Sequence, residues 1–367
     1  MDLLDELVRF SNLYGSDKNL VLAGGGNTSA KSDSILYVKA SGHSLAGIDK
    51  NGFAKMNLSS VREIFAKEYP FEDKTREAQA LEDLMAARAA GEEKRPSVET
   101  SLHALFPQTF VLHLHPATVN GLACSVKGKS FADEIFGDEY IWVDSCKPGY
   151  SLAKLCSSLV SDFEKRKGKA PQIILLQNHG IFFAGDSLAE LDKLLFDTIK
   201  AIKSKIKEEA EIGEEGIAGI RSQEVLGTLK SVDEPFESAI FCSNALSRRF
   251  TASKKAAKPM MRPFTPDHIV YCGAHPLFIE ADDDAAKKYK EYIKLFKTKP
   301  KIVMVESEGF WALGDSEKSA LNARDLFLDA MKIAVYSESF GGPLHMEPDL
   351  VDFIVNWEAE SYRQKQN

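Results

Sequence analysis

The run Phe110-Val-Leu-His-Leu-His115 constrains this chain more than any other stretch, because it is apolar enough for an interior strand yet carries two imidazoles. Side chains alternate between the faces of a strand, so His113 and His115 leave it on the same side. Burying two groups that titrate near neutrality among Val and Leu is costly unless something binds them. A cation is one such partner: Zn2+ accepts imidazole nitrogen and takes three protein ligands in a catalytic site. A third candidate, His179, ends the apolar segment Gln172-Ile-Ile-Leu-Leu-Gln-Asn-His-Gly180. A His-x-His pair alone fits two hydrogen-bonded histidines equally well; with His179 at a strand end, a metal site is the better reading.

At 367 residues the chain exceeds one ordinary domain, and 44% hydrophobic residues are ample for two cores. A formal net charge of −8 disfavours nonspecific nucleic-acid binding, so no nucleic-acid partner is expected. An anionic substrate would need concentrated positive groups or oriented backbone amides. The five cysteines (Cys124, Cys146, Cys156, Cys242, Cys272) are scattered and form no Cys-x-x-Cys pair, which fits reduced thiols in a cytoplasm. The acidic, amphipathic start Met1-Asp-Leu-Leu-Asp-Glu-Leu7 is unlike a secretory signal. No stretch approaches the ~20 apolar residues that span a bilayer. The expectation is a soluble cytoplasmic protein without a membrane partner.

Alternating helical and strand patterns predict an α/β chain. Helical spacing covers 2–14, 59–69, 75–90, 98–105, 151–165 and 187–210. Strands are expected at Leu20–Leu22 leading into a glycine turn, at 34–40, 52–56, 110–115, 140–143 and 172–178, the last forming a hairpin with 180–185. Residues 211–235 hold Glu and Gly without a strong period and mark the domain junction. The expected division is a first domain over 1–210, a linker and irregular segment over 211–262, and a smaller α/β domain over 263–367. In the last, His268–Cys272, 301–305 and 310–313 are expected strands, and 285–295, 318–337 and 349–364 helices.

Gly24-Gly-Gly-Asn-Thr-Ser29 puts an amide and hydroxyls beside a glycine turn, the composition of an anion-binding nest. It is neither a Walker loop nor Gly-x-Gly-x-x-Gly. Lys39-Ala-Ser-Gly42 is its counterpart, a strand end with a cation and a hydroxyl, although Lys31 and Lys39 are equally readable as solvated. Glu99, in Arg95-Pro-Ser-Val-Glu-Thr100, is by itself a first-turn acid favoured by the helix dipole. Beside three imidazoles and a divalent cation it becomes a candidate general base. His103, four residues on, is read as a packing or hydrogen-bonding residue, and His43 as a neighbour of the Ser-Gly turn.

Taken in order, Gly-Gly-Asn-Thr-Ser, Lys-x-Ser-Gly, Pro-Ser-x-Glu, His-x-His-Pro and Asn-His-Gly resemble the class II aldolase/adducin family over residues 10–205. Gly15-Ser-Asp-Lys, Ile135-Phe-Gly-Asp138, Trp142-Val143 and Pro148-Gly149 look most like the aldolase half of bifunctional rhamnulose-1-phosphate aldolase/alcohol dehydrogenases. Thr265-Pro-Asp-His268 and Pro276-Leu-Phe278 extend that resemblance to about residue 365. The resemblance implies that the chain stops where a dehydrogenase half would begin.

The resemblance implies a three-layer α/β/α domain with a mainly antiparallel sheet. It makes His113, His115 and His179 ligands of one Zn2+ (or another divalent metal) per chain, and Glu99 the acid/base. Asn27, Thr28, Ser41, Gly42 and Ser97 match phosphate-binding positions, but Val98 replaces a serine common in sugar-phosphate aldolases. The implied reaction is retro-aldol cleavage of a ketose 1-phosphate to dihydroxyacetone phosphate and an aldehyde, through a metal-stabilised enediolate, without a lysine Schiff base. The same site fits a sugar-phosphate epimerase or dehydratase. The other class of reading, an adducin-like interaction module, fits less well, because such members lack the complete triad. A homo-oligomer, commonly a tetramer, is implied too.

Overall fold

A computed structural model describes residues 2–232 and 236–357, and its contacts divide them into two compact units. The first holds residues up to 123, 129–205 and the stretch from 356; the second holds 124–128 and 206–355. Among the described residues, no helix is long and apolar enough to cross a membrane.

The first unit is built on strands β1 (Asn27–Lys31), β2 (Ile35–Lys39), β3 (Phe53–Asn57), β4 (Phe110–Leu114), β5 (Ile141–Val143), β6 (Ile173–Leu176) and β7 (Gly180–Gly185). They form one sheet in the order β3-β2-β1-β4-β7-β6-β5, antiparallel throughout except for β5 with β6. Its helices are α1 (Leu3–Gly15), α2 (Leu58–Glu63), α3 (Asp73–Ala86), α4 (Thr100–Leu105), α5 (Ala117–Ala123), α6 (Gly128–Phe136), α7 (Tyr150–Lys167) and α8 (Leu188–Lys203).

Strand alternation sorts these helices into two layers. Phe110 meets the edge of Phe10 on α1, with ring centroids 5.6 Å apart. Val111, one residue on, packs with Phe106, Val160 and Phe163 beside α4 and along α7. Tyr14 on α1 in turn hydrogen-bonds Asp192 on α8. The mainly antiparallel sheet therefore has helices on both faces, as expected, and His113 points to the α4/α7 side.

Two local expectations fail here. Residues 20–26 form turns rather than a strand, and Asn27-Thr-Ser belongs to β1 itself, so the glycines precede the strand instead of following one. Three consecutive glycines cost too much conformational entropy to extend a strand. The helix expected to reach 210 stops at Lys203.

The second unit contains α9 (Ile220–Val232), β8 (Ser238–Cys242), α10 (Ala245–Thr251), α11 (Lys254–Ala257), α12 (Pro266–Cys272), β9 (Leu277–Ile279), α13 (Ala285–Phe296), β10 (Ile302–Val305), β11 (Gly309–Gly314), α14 (Glu317–Ser337) and α15 (Pro348–Val355). Its sheet runs β8-β11-β10-β9, with β9 and β10 parallel. The stretch 211–262, read as linker and irregular segment, instead supplies α9, the edge strand β8, α10 and α11. Residues 268–272 are helical, not extended: Pro266 at the first helical turn starts α12, and its apolar residues are buried all round, which hides the helical period. The closing helix expected over 349–364 is seen as α15 to Val355, and its part from 358 lies outside the described residues.

Candidate metal centre

Sheet register assembles the centre. Asn27 lies opposite His113 across β1 and β4, and His113 lies opposite Phe182 across β4 and β7, so the three side chains share one face. β4 ends at Leu114 and Pro116 leads into α5, while the His115 amide donates to the Leu20 carbonyl (3.1 Å). His179 sits in the β6–β7 turn beside Asn178, whose left-handed φ of 56° is one that Asn tolerates better than most residues. The glycine after it is required by space: a Cβ on Gly180 would lie 2.5 Å from the Leu114 carbonyl and 2.6 Å from the His115 ring.

Glu99 enters from the turn before α4. The Ser97 hydroxyl accepts the Glu99 amide (3.2 Å), Thr100 Oγ1 donates to the Ser97 carbonyl (2.6 Å), and the Ser97 amide donates to the carbonyl of Lys39 (3.2 Å). This stitching fixes the turn to the end of β2. Asn27 Nδ2 donates to the Glu99 carboxylate and to Ser97 Oγ (3.0 Å), whereas its buried Oδ1 has no partner among the described residues.

The imidazoles converge. His113 Nδ1 faces the Ile181 carbonyl at 3.0 Å, and since a carbonyl can only accept, Nδ1 carries the proton. That leaves Nε2 turned toward His115 Nε2 at 2.9 Å and Glu99 Oε1 at 3.2 Å. His179 Nε2 approaches the same oxygen at 3.2 Å. One donor nitrogen from each histidine lies within 4.8 Å of the other two, and the group could hold a metal ion. A lone pair aimed at a second nitrogen and a carboxylate is electrostatically poor without a shared proton or a cation, and the donor set fits a divalent metal ion. His113 is fully buried, whereas the His179 and Glu99 side chains keep 13% and 14% exposure. Burial works to raise the Glu99 pKa, but His113 and His179 outweigh it and hold the carboxyl well below its usual range.

The remaining candidates divide. Ser41 Oγ donates to the Pro96 carbonyl (3.1 Å) and Gly42 has a φ of 85°, so both sit in the turn beside Ser97. Lys39 is buried, and its ammonium donates to the carbonyls of Gly24 (3.0 Å) and His43 (2.9 Å), binding the two loops together. The Thr28 hydroxyl is not brought to this place: it points to the opposite face and pairs with Ser11 Oγ at 2.7 Å, fully buried. Lys31 is neither solvated nor at the site. It lies at the far end of β1, bonded to the Gln108 carbonyl (3.1 Å), and burial with Arg62 nearby pushes its pKa down to about 7. Val98 turns into a cavity with Ile64, Leu81 and Leu84. His268 is buried against Thr265 Oγ1 (3.2 Å) in the second unit.

Phe182 escaped the sequence reading. It stacks on the His113 ring at 4.0 Å and 14°. Its position two residues after Gly180 in an apolar strand was the available signal, but nothing local shows which strand lies alongside.

The family model described as Class II Aldolase and Adducin N-terminal domain matches residues 5–203. The uncharacterized oxidoreductase YuxG of Bacillus subtilis (strain 168) is 22% identical over 408 residues, covering 98% of this chain and 58% of that protein. The chain thus spans less than two thirds of that relative's length. Among solved structures, the N-terminal class II aldolase domain of a conserved protein from Thermoplasma acidophilum is 28% identical over 56% of this chain and 93% of its own, with a TM-score of 0.47. The L-fuculose-1-phosphate aldolase from Thermus thermophilus is 14% identical over 55% of this chain and 92% of its own, with a TM-score of 0.36.

Proposed function

The chain belongs to the class II aldolase and adducin family, and on that premise we propose that it is a zinc-dependent lyase that cleaves a ketose 1-phosphate of the rhamnulose-1-phosphate type. The observation that carries this reading is the convergence of three imidazole nitrogens within 4.8 Å, with the Glu99 carboxylate 3.2 Å from two of the rings. An adducin-like module without chemistry has no use for so costly an arrangement.

His113, His115 and His179 would hold the ion, which would supply a Lewis acid for the negative charge that develops on the substrate's carbonyl oxygen as the C3–C4 bond breaks. Glu99, whose side chain is partly open, would carry the proton at the carbon that becomes nucleophilic. Asn27 holds the other carboxylate oxygen, so the protonation site stays on Oε1. At the phosphate end, Ser41, Gly42 and Ser97 line one turn, and Lys39 draws the Gly24 and His43 carbonyls inward. Lys39 adds positive charge behind that turn. The substrate is accordingly a sugar phosphate, and a homo-oligomer in the cytoplasm is the setting we propose.

Metal analysis of the purified protein, paired with a coupled assay for dihydroxyacetone phosphate released from rhamnulose 1-phosphate and fuculose 1-phosphate, tests the proposal. About one zinc per chain with product release, both lost in His113→Ala, is the expected result. Zinc without cleavage transfers the site to an epimerase or dehydratase, and no metal with no activity leaves the interaction module.

A further inference from the structure

Behind the centre, His103 on α4 is fully buried and belongs to neither the ligands nor the acid/base. Its Nδ1 pairs with Ser29 Oγ at 2.8 Å, and its Nε2 has no hydrogen-bond partner among the described residues. Ser29 is two residues along β1 from Asn27, so both point to the face that carries His113. The His103 ring meets Phe182 at 5.4 Å and 74°, and Phe106 lies against the same phenyl ring at 6.0 Å and 28°. Phe182 in turn stacks on His113 at 4.0 Å.

We propose that His103 is a positioning residue for the metal ligand His113, acting through Phe182, while its bond to Ser29 anchors α4 to β1. The role rests on the metal-centre reading above. His113 is held at two points: Nδ1 by the Ile181 carbonyl and the ring face by Phe182. One hydrogen bond restrains an imidazole only loosely about its Cβ–Cγ bond, and the stacked phenyl narrows that range further. Phe182 holds its plane only if its own flank is filled, and the His103 ring fills it. An apolar ring would pack as well but would leave Ser29 Oγ without its bond to α4. Histidine serves both needs, at the expense of an unpaired Nε2. The two arms predict different behaviour: ion affinity follows the ring, and fold stability follows the bond.

Co2+ titration of the metal-free full-length chain, followed by visible absorption, reads ligand geometry without requiring any lyase activity. His103→Asn keeps a polar atom for Ser29 but removes the ring, and His103→Phe does the reverse. His103→Asn is expected to weaken Co2+ binding about 10-fold or more, as removal of an outer-shell partner does, and to shift the visible band. His103→Phe and Ser29→Ala are expected to bind within about threefold of wild type but to unfold at lower temperature. Phe182→Leu is expected to weaken binding like His103→Asn, and the double variant to bind no worse than the weaker single, since both act along one path. Should His103→Asn fail to fold, Phe182→Leu against His103→Phe carries the same comparison. Equal affinity in His103→Asn and wild type, or equal loss in His103→Phe and His103→Asn, overturns this role and leaves the metal centre standing. A wild-type chain that takes up no Co2+ overturns the metal centre, and the role with it.

Discussion

Replacing Gly180 with Ala alters no ligand and no charge, yet it acts directly on the centre. The added Cβ would lie 2.5 Å from the Leu114 carbonyl oxygen, 2.6 Å from His115 Cδ2 and 3.3 Å from His113 Cε1. The first neighbour is backbone in the middle of the sheet and the second is a ring beside the other ligands, so neither can move away freely. Relief requires β7 to retreat from β4, which strains the Leu114–Ile181 and His113–Phe182 pairs, or His115 to swing out. Overpacking of this kind costs about 1–3 kcal/mol. For a unit of this size that corresponds to roughly 2–12 °C in melting temperature. Displacing His115 should weaken Zn2+ binding about 10–100-fold, as loss of support for a ligand does. Differential scanning calorimetry of the metal-free protein reads the first effect, and competition with a chromophoric chelator reads the second. Gly227→Ala on α9, where an added Cβ meets nothing within 4 Å, is the control and should stabilise by up to about 1 kcal/mol. A Gly180→Ala protein that melts and binds zinc like wild type refutes the claim that this approach confines the histidines.

Glu99→Gln should retain zinc, because the three imidazoles are untouched, while kcat for cleavage falls about 10²–10⁴-fold with loss of the proton carrier; metal analysis and initial rates check both. In the metal-free protein Glu99 is held well below its usual pKa, with burial opposing and His113 and His179 outweighing it. A depressed carboxyl stabilises the fold above its unfolded value of about 4.3 and loses that contribution as pH falls toward the folded value. The difference between the urea midpoints of wild type and Glu99→Gln should therefore be largest above the unfolded value of about 4.3 and shrink as pH falls below it. Lys39→Met leaves the buried Gly24 carbonyl and the part-buried His43 carbonyl without this donor, which should destabilise by about 1–3 kcal/mol and raise KM for the phosphorylated substrate more than it lowers kcat.

The relations legible in the chain alone are local ones. A period of two puts His113 and His115 on one side of a strand, and a helical period brings His103 under Glu99; both relations follow from backbone geometry within a few residues. The ordered motifs from Asn27 to His179 carry the family, and the structure brings Asn27, Ser97, Glu99 and the three histidines together. Register across the sheet is another matter. That Asn27 faces His113, that Phe182 lies beneath its ring, and that Thr28 turns away to Ser11 depend on which strands pair and at what offset. A one-residue slip would reverse every one of those faces. The burial of Lys31 and Lys39 was illegible for a similar reason, since the Gln108 carbonyl that Lys31 bonds lies 77 residues away and the Gly24 carbonyl, one of the two that Lys39 bonds, lies 15 away. In the second unit, α12 was misread as a strand because a short helix enclosed on all sides shows no polar face. Local pattern names the residues able to do chemistry, and long-range pairing decides which of them meet, because only the closed sheet sets distances between segments far apart along the chain.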